Sequence, residues 1–319
     1  LPAGISFYTF QTLSFSIDSY KRKIKIMPKF LDYFLYVCYF PQLVAGPILR
    51  PKDFFNHKSE LLINKKKGEV NTGFSRICFG LFLKLVMADE LGRLNDIAYL
   101  YDFKNISFFD SWTMAFGFGL QIYFDFSAYS HMAIGISNIL GLPIKENFNF
   151  PYSSLSATSF WNKWHISLSS WVKDYLYRFL NNNLPLYFFG IIPLLITWAI
   201  MGLWHGASWR FAMWGLINGI FIIIHRIFKT WNINHSSKSI NYYLSWILTI
   251  FPIMSTWIFF RSTSWEQANN LYLNLFRINK LELGLPENYY LIVFIFLLLT
   301  LSIGYFKNLI FFKNAFKNE

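Results

Sequence analysis

The most reactive side chain in an apolar setting is the imidazole of His205. It directly follows Trp204 and closes a run of 19 uncharged residues that begins at Leu186. A run of this length crosses most of a bilayer, where a titratable group is costly. Imidazole titrates near neutral pH and can take the proton of an attacking hydroxyl. We therefore predict that His205 is catalytic; the alternative is a histidine that only hydrogen-bonds between helices.

Two further polar groups interrupt apolar stretches. His165 and Ser169 are four residues apart, a spacing that places them on one face of a helix. Asp125 lies between two uncharged runs, so its carboxylate must pair or face water. It is expected to orient an imidazole or to bind a basic residue such as Lys84 or Arg210. A structural ion pair without a catalytic role is the alternative.

Composition indicates an integral membrane protein. Hydrophobic residues make up 54% of the 319 residues and charged residues 14%, against roughly 25% charged residues in a soluble domain. Several uncharged stretches approach or reach the ~20 residues that a spanning helix needs. These stretches are residues 1–17, 33–49, 126–144, 186–204, 239–260 and 288–306. With shorter apolar runs at 77–83, 111–124 and 211–224, they predict roughly eight or nine membrane segments.

The net charge of +12 does not indicate nucleic-acid binding, because the basic residues lie between apolar segments rather than on one soluble module. Anionic lipid headgroups and the positive-inside rule account for them, so membrane lipid is the expected partner. Cys38 and Cys78 lie within apolar runs and are expected to pack as small buried hydrophobes. The histidines, cysteines and carboxylates form no recognised metal-ligand pattern, and no metal is expected.

The apolar run 33–49 is predicted to be a re-entrant segment. Basic loops flank it at 21–25 and 50–67, and these cannot both be cytoplasmic if the run crosses the membrane once. Pro41 and Pro47 inside it break helices and free backbone groups that lipid cannot satisfy. An ordinary span with a weak charge bias is the alternative.

Aromatic residues recur at helical spacing between residues 161 and 175. This periodicity predicts one helix with an aromatic face, lying at the headgroup level or at the mouth of the bundle. The face consists of Trp161, Trp164, Leu168, Trp171 and Tyr175.

The chain is predicted to form a single polytopic membrane domain over residues 1–319. No fixed-period repeat, Gly/Ser linker or low-complexity tail separates a second domain. The first residues, Leu1 and Pro2, are neither an initiator nor part of a signal peptide, so further N-terminal helices are expected to be missing.

Seven motifs follow one another along nearly the whole chain. They are residues 2–11, 40–48, 121–129, 146–149 with 151–152, 160–161 with 164–169, 174–177 and 202–207. In this order they resemble the membrane-bound O-acyltransferase (MBOAT) family. Within it they are similar to the bacterial branch of alginate O-acetylases, peptidoglycan O-acetyltransferases and teichoic-acid D-alanyl transporters. The ordered set is far more specific than a Trp-His-Gly match alone.

The resemblance implies an all-α integral membrane protein of the bacterial inner membrane. Transmembrane and re-entrant helices would form a ring around a central tunnel, with the acyl donor entering from the cytoplasm. His205 corresponds to the family's catalytic histidine and His165 to its second, tunnel-lining histidine. The side chains expected to line the tunnel or to position substrate are Asp125, Gln121, Tyr123, Trp164, Trp204 and Ser169.

The activity implied by the resemblance is O-acylation. An acetyl or similarly short acyl group would pass from a cytoplasmic thioester, acetyl-CoA, to hydroxyls of an extracytoplasmic polysaccharide such as peptidoglycan or an alginate-like exopolysaccharide. No bound cofactor is implied, and a periplasmic SGNH-type acetyltransferase is the expected partner. The alternatives are D-alanyl transfer to a teichoic-acid-type polymer and a proton-coupled transporter that uses His205 and Asp125.

Some positions depart from the family pattern. Ala128 and His131 stand where relatives usually have Gly and Asp, and Ser159, Asn162 and Lys163 replace the more usual Asp, Arg and Arg. These changes keep both histidines but alter the surface expected to meet the acceptor or a partner, so alginate is not inferred. His131 follows Ser127 by four residues and could face the same cavity.

Overall fold

The regular structure of this protein is helical. A computed structural model describes residues 4–24, 26–64, 69–184, 190–230, 238–278 and 280–315, and it contains α-helices, two short 3-10 turns and two π-helical turns in these ranges. The all-α fold class is therefore confirmed for this part of the chain. The ring of helices and its central tunnel stay predictions.

Fourteen α-helices lie in the described residues. The first seven are α1 (Ile5–Tyr20), α2 (Phe30–Val37), α3 (Pro51–Asn64), α4 (Val70–Phe82), α5 (Asp89–Ala98), α6 (Phe108–Ile139) and α7 (Ala157–Lys163). The other seven are α8 (Ile166–Trp171), α9 (Arg178–Asn183), α10 (Ile191–His205), α11 (Trp209–Thr230), α12 (Lys238–Arg261), α13 (Trp265–Asn274) and α14 (Glu287–Ala315). The 3-10 turns are Phe40–Gln42 and Pro151–Ser153, and the π-helical turns are Leu83–Ala88 and Val172–Tyr177.

The chain divides into two compact units that alternate along the sequence. Unit 1 consists of Leu1–Met87, Phe124–Asn149 and His165–Trp171. Unit 2 consists of Ala88–Tyr123, Phe150–Trp164 and Val172–Glu319. Each unit is described by itself below. The single membrane domain over residues 1–319 stays a prediction.

Three helices in the described residues are long and apolar enough to cross a membrane. They contain the spans Trp209–Lys229, Tyr242–Arg261 and Glu287–Gly304. A shorter apolar helix, Ile191–His205, precedes them. The larger number of membrane segments inferred from the uncharged stretches stays a prediction.

Helix α6 joins two apolar runs that the sequence presents separately. It extends for 32 residues, and Asp125 lies inside it. Lys84 Nζ lies 2.7 Å from Asp125 Oδ1. The prediction that this carboxylate pairs is thus confirmed, with Lys84 as its partner. An ion pair of this kind lets an apolar helix continue through a charged position.

The helix break predicted within residues 33–49 is present. Helix α2 ends at Val37, Pro41 lies in a 3-10 turn, and residues 47–50 have no helical structure. The fully buried Tyr36 donates its hydroxyl hydrogen to the carbonyl oxygen of Leu49 at 3.0 Å, which fastens the two ends of the segment together. Whether this segment re-enters the membrane is a matter of topology, and the re-entrant path stays a prediction.

The prediction of one continuous aromatic helix over residues 161–175 is wrong. Helix α7 ends at Lys163, Trp164 is extended, and His165 has a φ of +44° before α8 begins. The carbonyl oxygen of Asn147 accepts the Ile166 N–H at 2.8 Å. This tertiary hydrogen bond fixes the start of α8 directly after the break, and such contacts override helical periodicity.

The packing role expected for the two cysteines is also wrong. Cys38 and Cys78 are both exposed in unit 1, and neither forms a disulfide within the described residues. The outer faces of a membrane protein are surrounded by lipid, which is as apolar as a protein core. An apolar run therefore does not distinguish a buried thiol from an outward-facing one.

Candidate active site

His205 is the last residue of α10, an almost entirely apolar helix. The helix begins after Gly190, whose φ of +73° allows the sharp entry of the chain, and Gly206 is its C-cap. The Gly206 N–H donates to the carbonyl oxygen of Leu203 at 3.2 Å, which closes the last turn. The imidazole is therefore placed at a fixed helix end rather than on a loop.

Helices α10 and α11 form a tight hairpin in unit 2. A Cβ on Gly202 would lie 2.1 Å from the carbonyl oxygen of Phe211, and one on Gly215 would lie 2.1 Å from the carbonyl oxygen of Trp198. Glycine is thus required on both helices for the two backbones to approach this closely.

Aromatic rings surround the imidazole of His205. The ring centroids of Trp204, Trp214 and Phe260 lie 4.5, 5.2 and 5.0 Å from that of His205. Trp214 is 2% exposed, whereas His205 is partly exposed. Aromatic rings of this kind offer few hydrogen-bond partners to water, and a neutral imidazole can act as a proton acceptor.

The same aromatic cluster reaches two other residues predicted for the site. The ring of Trp214 lies 5.8 Å from that of Trp257, and Trp257 lies 5.1 Å from Trp164. Trp164 in turn lies 6.1 Å from Tyr123. Four of the eight predicted site residues, among them Trp204, are therefore connected through one set of rings in unit 2.

Gln121 is held by a buried polar network in the same unit. Its Oε1 accepts a hydrogen bond from Asn95 Nδ2 at 2.8 Å, and the Tyr289 hydroxyl donates to Asn95 Oδ1 at 2.5 Å. Asn95 is fully buried and Tyr289 is 1% exposed. Because the carbonyl of Gln121 is fixed in this way, its amide N–H groups are the part of the side chain that can donate to a ligand.

His165 belongs to unit 1 and is 5% exposed. Its Nδ1 lies 3.2 Å from Asn147 Oδ1, and its ring meets the Phe126 ring edge-on at 4.5 Å. The positive φ is costly for a residue with a Cβ, and strain of this kind accumulates at functional positions. The Ser169 N–H donates to the carbonyl oxygen of His165 at 2.9 Å, but His165 itself lies outside α8, so the single helix face predicted for the two side chains is not confirmed.

Of the eight predicted site residues, the structure therefore places His165, Ser169 and Asp125 in unit 1. It places His205, Trp204, Trp164, Gln121 and Tyr123 in unit 2. Their assignment to a common tunnel stays a prediction.

Two other histidines have local partners. The ring of His131 meets that of Phe79 at 4.9 Å, and its Nδ1 has no hydrogen-bond partner among the described residues. His225 Nδ1 lies 3.0 Å from the Thr158 hydroxyl oxygen. In the part of the chain that the structure describes, no three His, Cys, Asp or Glu side chains come together as they would around a metal ion.

Sequence reasoning missed the residues that hold these side chains. Asn95 and Tyr289 lie outside every motif; Asn95 bonds Gln121, and Tyr289 bonds Asn95 from a distant part of the chain. Asn147 lies in the 146–149 motif but carries no chemistry by its residue type. The only sequence feature that points to Asn147 is that an amide side chain in an apolar protein needs hydrogen-bond partners.

The chain is similar in sequence to known proteins over most of its length. Residues 5–265 match the model of the MBOAT, membrane-bound O-acyltransferase family. The chain is 36% identical over 287 residues to "Probable alginate O-acetylase AlgI" of Pseudomonas aeruginosa, covering 89% of this chain and 53% of that protein. It is 32% identical over 314 residues to the "Peptidoglycan O-acetyltransferase" of Helicobacter pylori, covering 89% and 58%.

A more distant relative is named for the transfer of a different acyl group. It is 25% identical over 240 residues to the "Teichoic acid D-alanyltransferase" of Bacillus subtilis, covering 72% of this chain and 60% of that protein. The chain spans about half the length of the alginate-type relatives it matches. The family match extends from α1 to the first residue of α13, and it includes both His165 and His205. This chain belongs to the membrane-bound O-acyltransferase family.

Proposed function

We propose that this chain acts as an O-acyltransferase on the cell envelope. It would move an acetyl or similarly short acyl group from a cytoplasmic thioester to hydroxyls of an extracytoplasmic polysaccharide, peptidoglycan or an alginate-like exopolysaccharide. The observation that carries the proposal is the position of His205. Its imidazole closes an apolar helix and is surrounded by the rings of Trp204, Trp214 and Phe260.

The reaction needs one general base. The imidazole of His205 takes the proton of the acceptor hydroxyl while the hydroxyl oxygen attacks the thioester carbonyl carbon. The tetrahedral intermediate then breaks its C–S bond, and the leaving thiolate receives the proton from the imidazolium. The products are the O-acyl ester and the free thiol. The aromatic surface around the ring excludes the water that would otherwise hydrolyse the thioester.

The proposal extends to the donor, the partner and the location of the reaction. Acetyl-CoA is the proposed donor and a periplasmic SGNH-type acetyltransferase the proposed partner, with the chain in the bacterial inner membrane. The printed names of the relatives support an envelope polysaccharide as acceptor. The three apolar helices support a position in the bilayer.

The test measures transfer of label in membranes. Vesicles that contain the full chain and its partner are supplied with radiolabelled acetyl-CoA, and label is followed into wall polysaccharide or exopolysaccharide. His205→Gln should lower the rate by about 10²- to 10⁴-fold, the usual contribution of a general base. His225→Gln is the matched control, because that histidine lies in the same unit and bonds Thr158; it should keep the parental rate.

Other outcomes contradict the proposal. Equal labelling by the parent and by His205→Gln would remove this imidazole from the chemistry. Labelling from an activated D-alanine donor but not from acetyl-CoA would show that the transferred group is D-alanyl rather than acetyl. Accumulation of an intact solute inside the vesicles, without a new ester, would indicate transport instead.

A further inference from the structure

We infer that Asn147 is the positioning residue of His165: its amide oxygen keeps the imidazole proton on Nδ1, so that Nε2 acts as a hydrogen-bond acceptor. The catalytic role that we assign to this tautomer rests on the proposed function. The structural content of the inference is the tautomer of one ring, which can be measured without substrate. Both residues lie in unit 1, and Asn147 is fully buried.

The orientation of the Asn147 amide is fixed by a backbone donor. The N–H of Ser167 lies 3.2 Å from Asn147 Oδ1, and a backbone N–H can only donate. The atom that it faces is therefore the oxygen. On the other side, Asn147 Nδ2 donates to the Ser130 hydroxyl oxygen at 3.2 Å. The two sides of the amide are thus distinguished by their partners, which is the criterion for assigning such groups.

The Ser167 hydroxyl does not compete for the role of donor to the ring. It accepts the Ile48 N–H at 2.9 Å, and it directs its own hydrogen to Asn147 Oδ1 at 2.9 Å. Its oxygen lies 3.5 Å from His165 Nδ1. The single hydroxyl hydrogen is already committed, so this oxygen can only accept from the imidazole.

The Asn147 amide oxygen and the Ser167 hydroxyl are consequently both acceptors toward His165 Nδ1. Asn147 Oδ1 is 3.2 Å away and has no hydrogen to donate. A neutral imidazole carries one hydrogen on one of its two nitrogens, and the partner of one nitrogen decides which. The hydrogen therefore resides on Nδ1, and Nε2 has the lone pair.

Asn147 also holds the backbone that carries the ring. Its carbonyl oxygen accepts the Ile166 N–H at 2.8 Å, directly after the strained φ of +44° at His165. One buried residue thus fixes both the backbone turn and the tautomer. In the acyl-transfer site the acceptor-only Nε2 would orient a substrate hydroxyl or amide N–H, and it could not donate to the thioester carbonyl.

The direct test reads the tautomer by nitrogen NMR. The full chain is labelled with ¹⁵N-histidine and placed in vesicles of bacterial phospholipid, and the His165 signals are assigned by difference from His165→Asn. The parent should show Nδ1 protonated and Nε2 unprotonated. Asn147→Leu should mix the two tautomers, because leucine has no acceptor. A parent ring with its hydrogen on Nε2, or an unchanged tautomer in Asn147→Leu, would overturn the inference.

The pH dependence of the transfer rate is a second readout, and substitution of a residue with only a structural role would not change it. Asn147→Asp has the same size and keeps an acceptor facing Nδ1, but its negative charge favours the imidazolium. The acid limb of the pH–rate profile should move upward by about one pH unit or more in Asn147→Asp. Asn147→Leu should lower the rate about tenfold or more at every pH, as loss of an orienting partner does elsewhere. Ser130→Ala removes only the bond to Nδ2 and should leave the limb in place.

The two readouts separate this inference from the proposed function. If the parent transfers no acyl group, the function fails, and the NMR signals still decide the tautomer. If the parent is active and Asn147→Asp has a parental pH profile, the positioning role fails while the function stands. Thermal unfolding in detergent checks that each variant is folded, and Asn147→Asp covers the case in which Asn147→Leu does not fold.

Discussion

The imidazole of His205 stands edge-on to the indole of Trp214, with ring centroids 5.2 Å apart and an angle of 88° between the planes. Trp214 extends from α11, whereas His205 ends α10. The edge-to-face arrangement is the favoured geometry for two aromatic rings and limits rotation of the imidazole. The direction in which His205 presents its nitrogens therefore depends on a residue of the neighbouring helix.

Trp214→Ala should destabilise unit 2 and lower transfer. Removing a buried indole costs about 3–5 kcal/mol of unfolding free energy and frees the imidazole to rotate. Trp214→Phe should cost less, because the indole N–H has no hydrogen-bond partner among the described residues and phenylalanine removes that buried donor. Thermal unfolding in detergent measures both variants. Trp209→Ala on the same helix, at an 82% exposed position, is the control and should change little.

Gly202→Ala should separate the two helices of the hairpin. The added methyl group would meet the backbone oxygen of Phe211, which cannot move aside without moving α11. We expect a loss of about 1–3 kcal/mol of unfolding free energy, the usual range for overpacking, together with reduced transfer. Gly219→Ala is the comparison, since its Cβ would meet only side-chain atoms of Trp198 and Leu195, at 3.1 Å or more. Equal losses in the two variants would contradict the close-approach argument.

Tyr289→Phe should affect Gln121 through Asn95. Loss of the hydroxyl leaves the buried Asn95 Oδ1 without its donor, and an unsatisfied buried group costs about 1–3 kcal/mol. The Gln121 amide then loses its fixed orientation, so KM should rise more than kcat falls. Steady-state kinetics with acetyl-CoA and unfolding curves test this prediction. Tyr243→Phe, at a 64% exposed tyrosine, should have neither effect.

Substitutions of His165 should separate backbone strain from chemistry. Asparagine tolerates a positive φ better than alanine does. His165→Asn should therefore be more stable than His165→Ala by about 1 kcal/mol, the scale of the left-handed penalty. Both should lose transfer activity, because neither has an imidazole. If the two variants unfold at the same temperature, the backbone at residue 165 is not strained.

Much of the chemistry could be read from residue types in apolar surroundings. His205, His165 and Asp125 each stand out because a membrane disfavours polar groups, and the pairing of Asp125 with Lys84 confirms that reasoning. The helix-breaking prolines of residues 33–49 also act as their local chemistry predicts. In each case the signal lies within a few residues of the position concerned.

The failures have a common physical origin in long-range contacts. The aromatic periodicity of residues 161–175 predicts one helix, but the hydrogen bonds that Asn147 accepts from Ile166 and Ser167 impose a break at His165. The exposure of Cys38 and Cys78 could not be inferred, because an apolar run can face lipid as readily as it faces a protein core. Asn95 and Tyr289 were missed since their partners are remote in sequence.

The short turn between α10 and α11 gives the imidazole a fixed angular register. Only three residues separate His205 from Trp209, and the Gly202 contact with Phe211 fastens the two helices beside that turn. One residue inserted between Gly202 and His205 would rotate the ring by about 100° around the axis of α10. The turn would then present a different side chain to Phe260, so this stretch should not tolerate a change in the number of its residues.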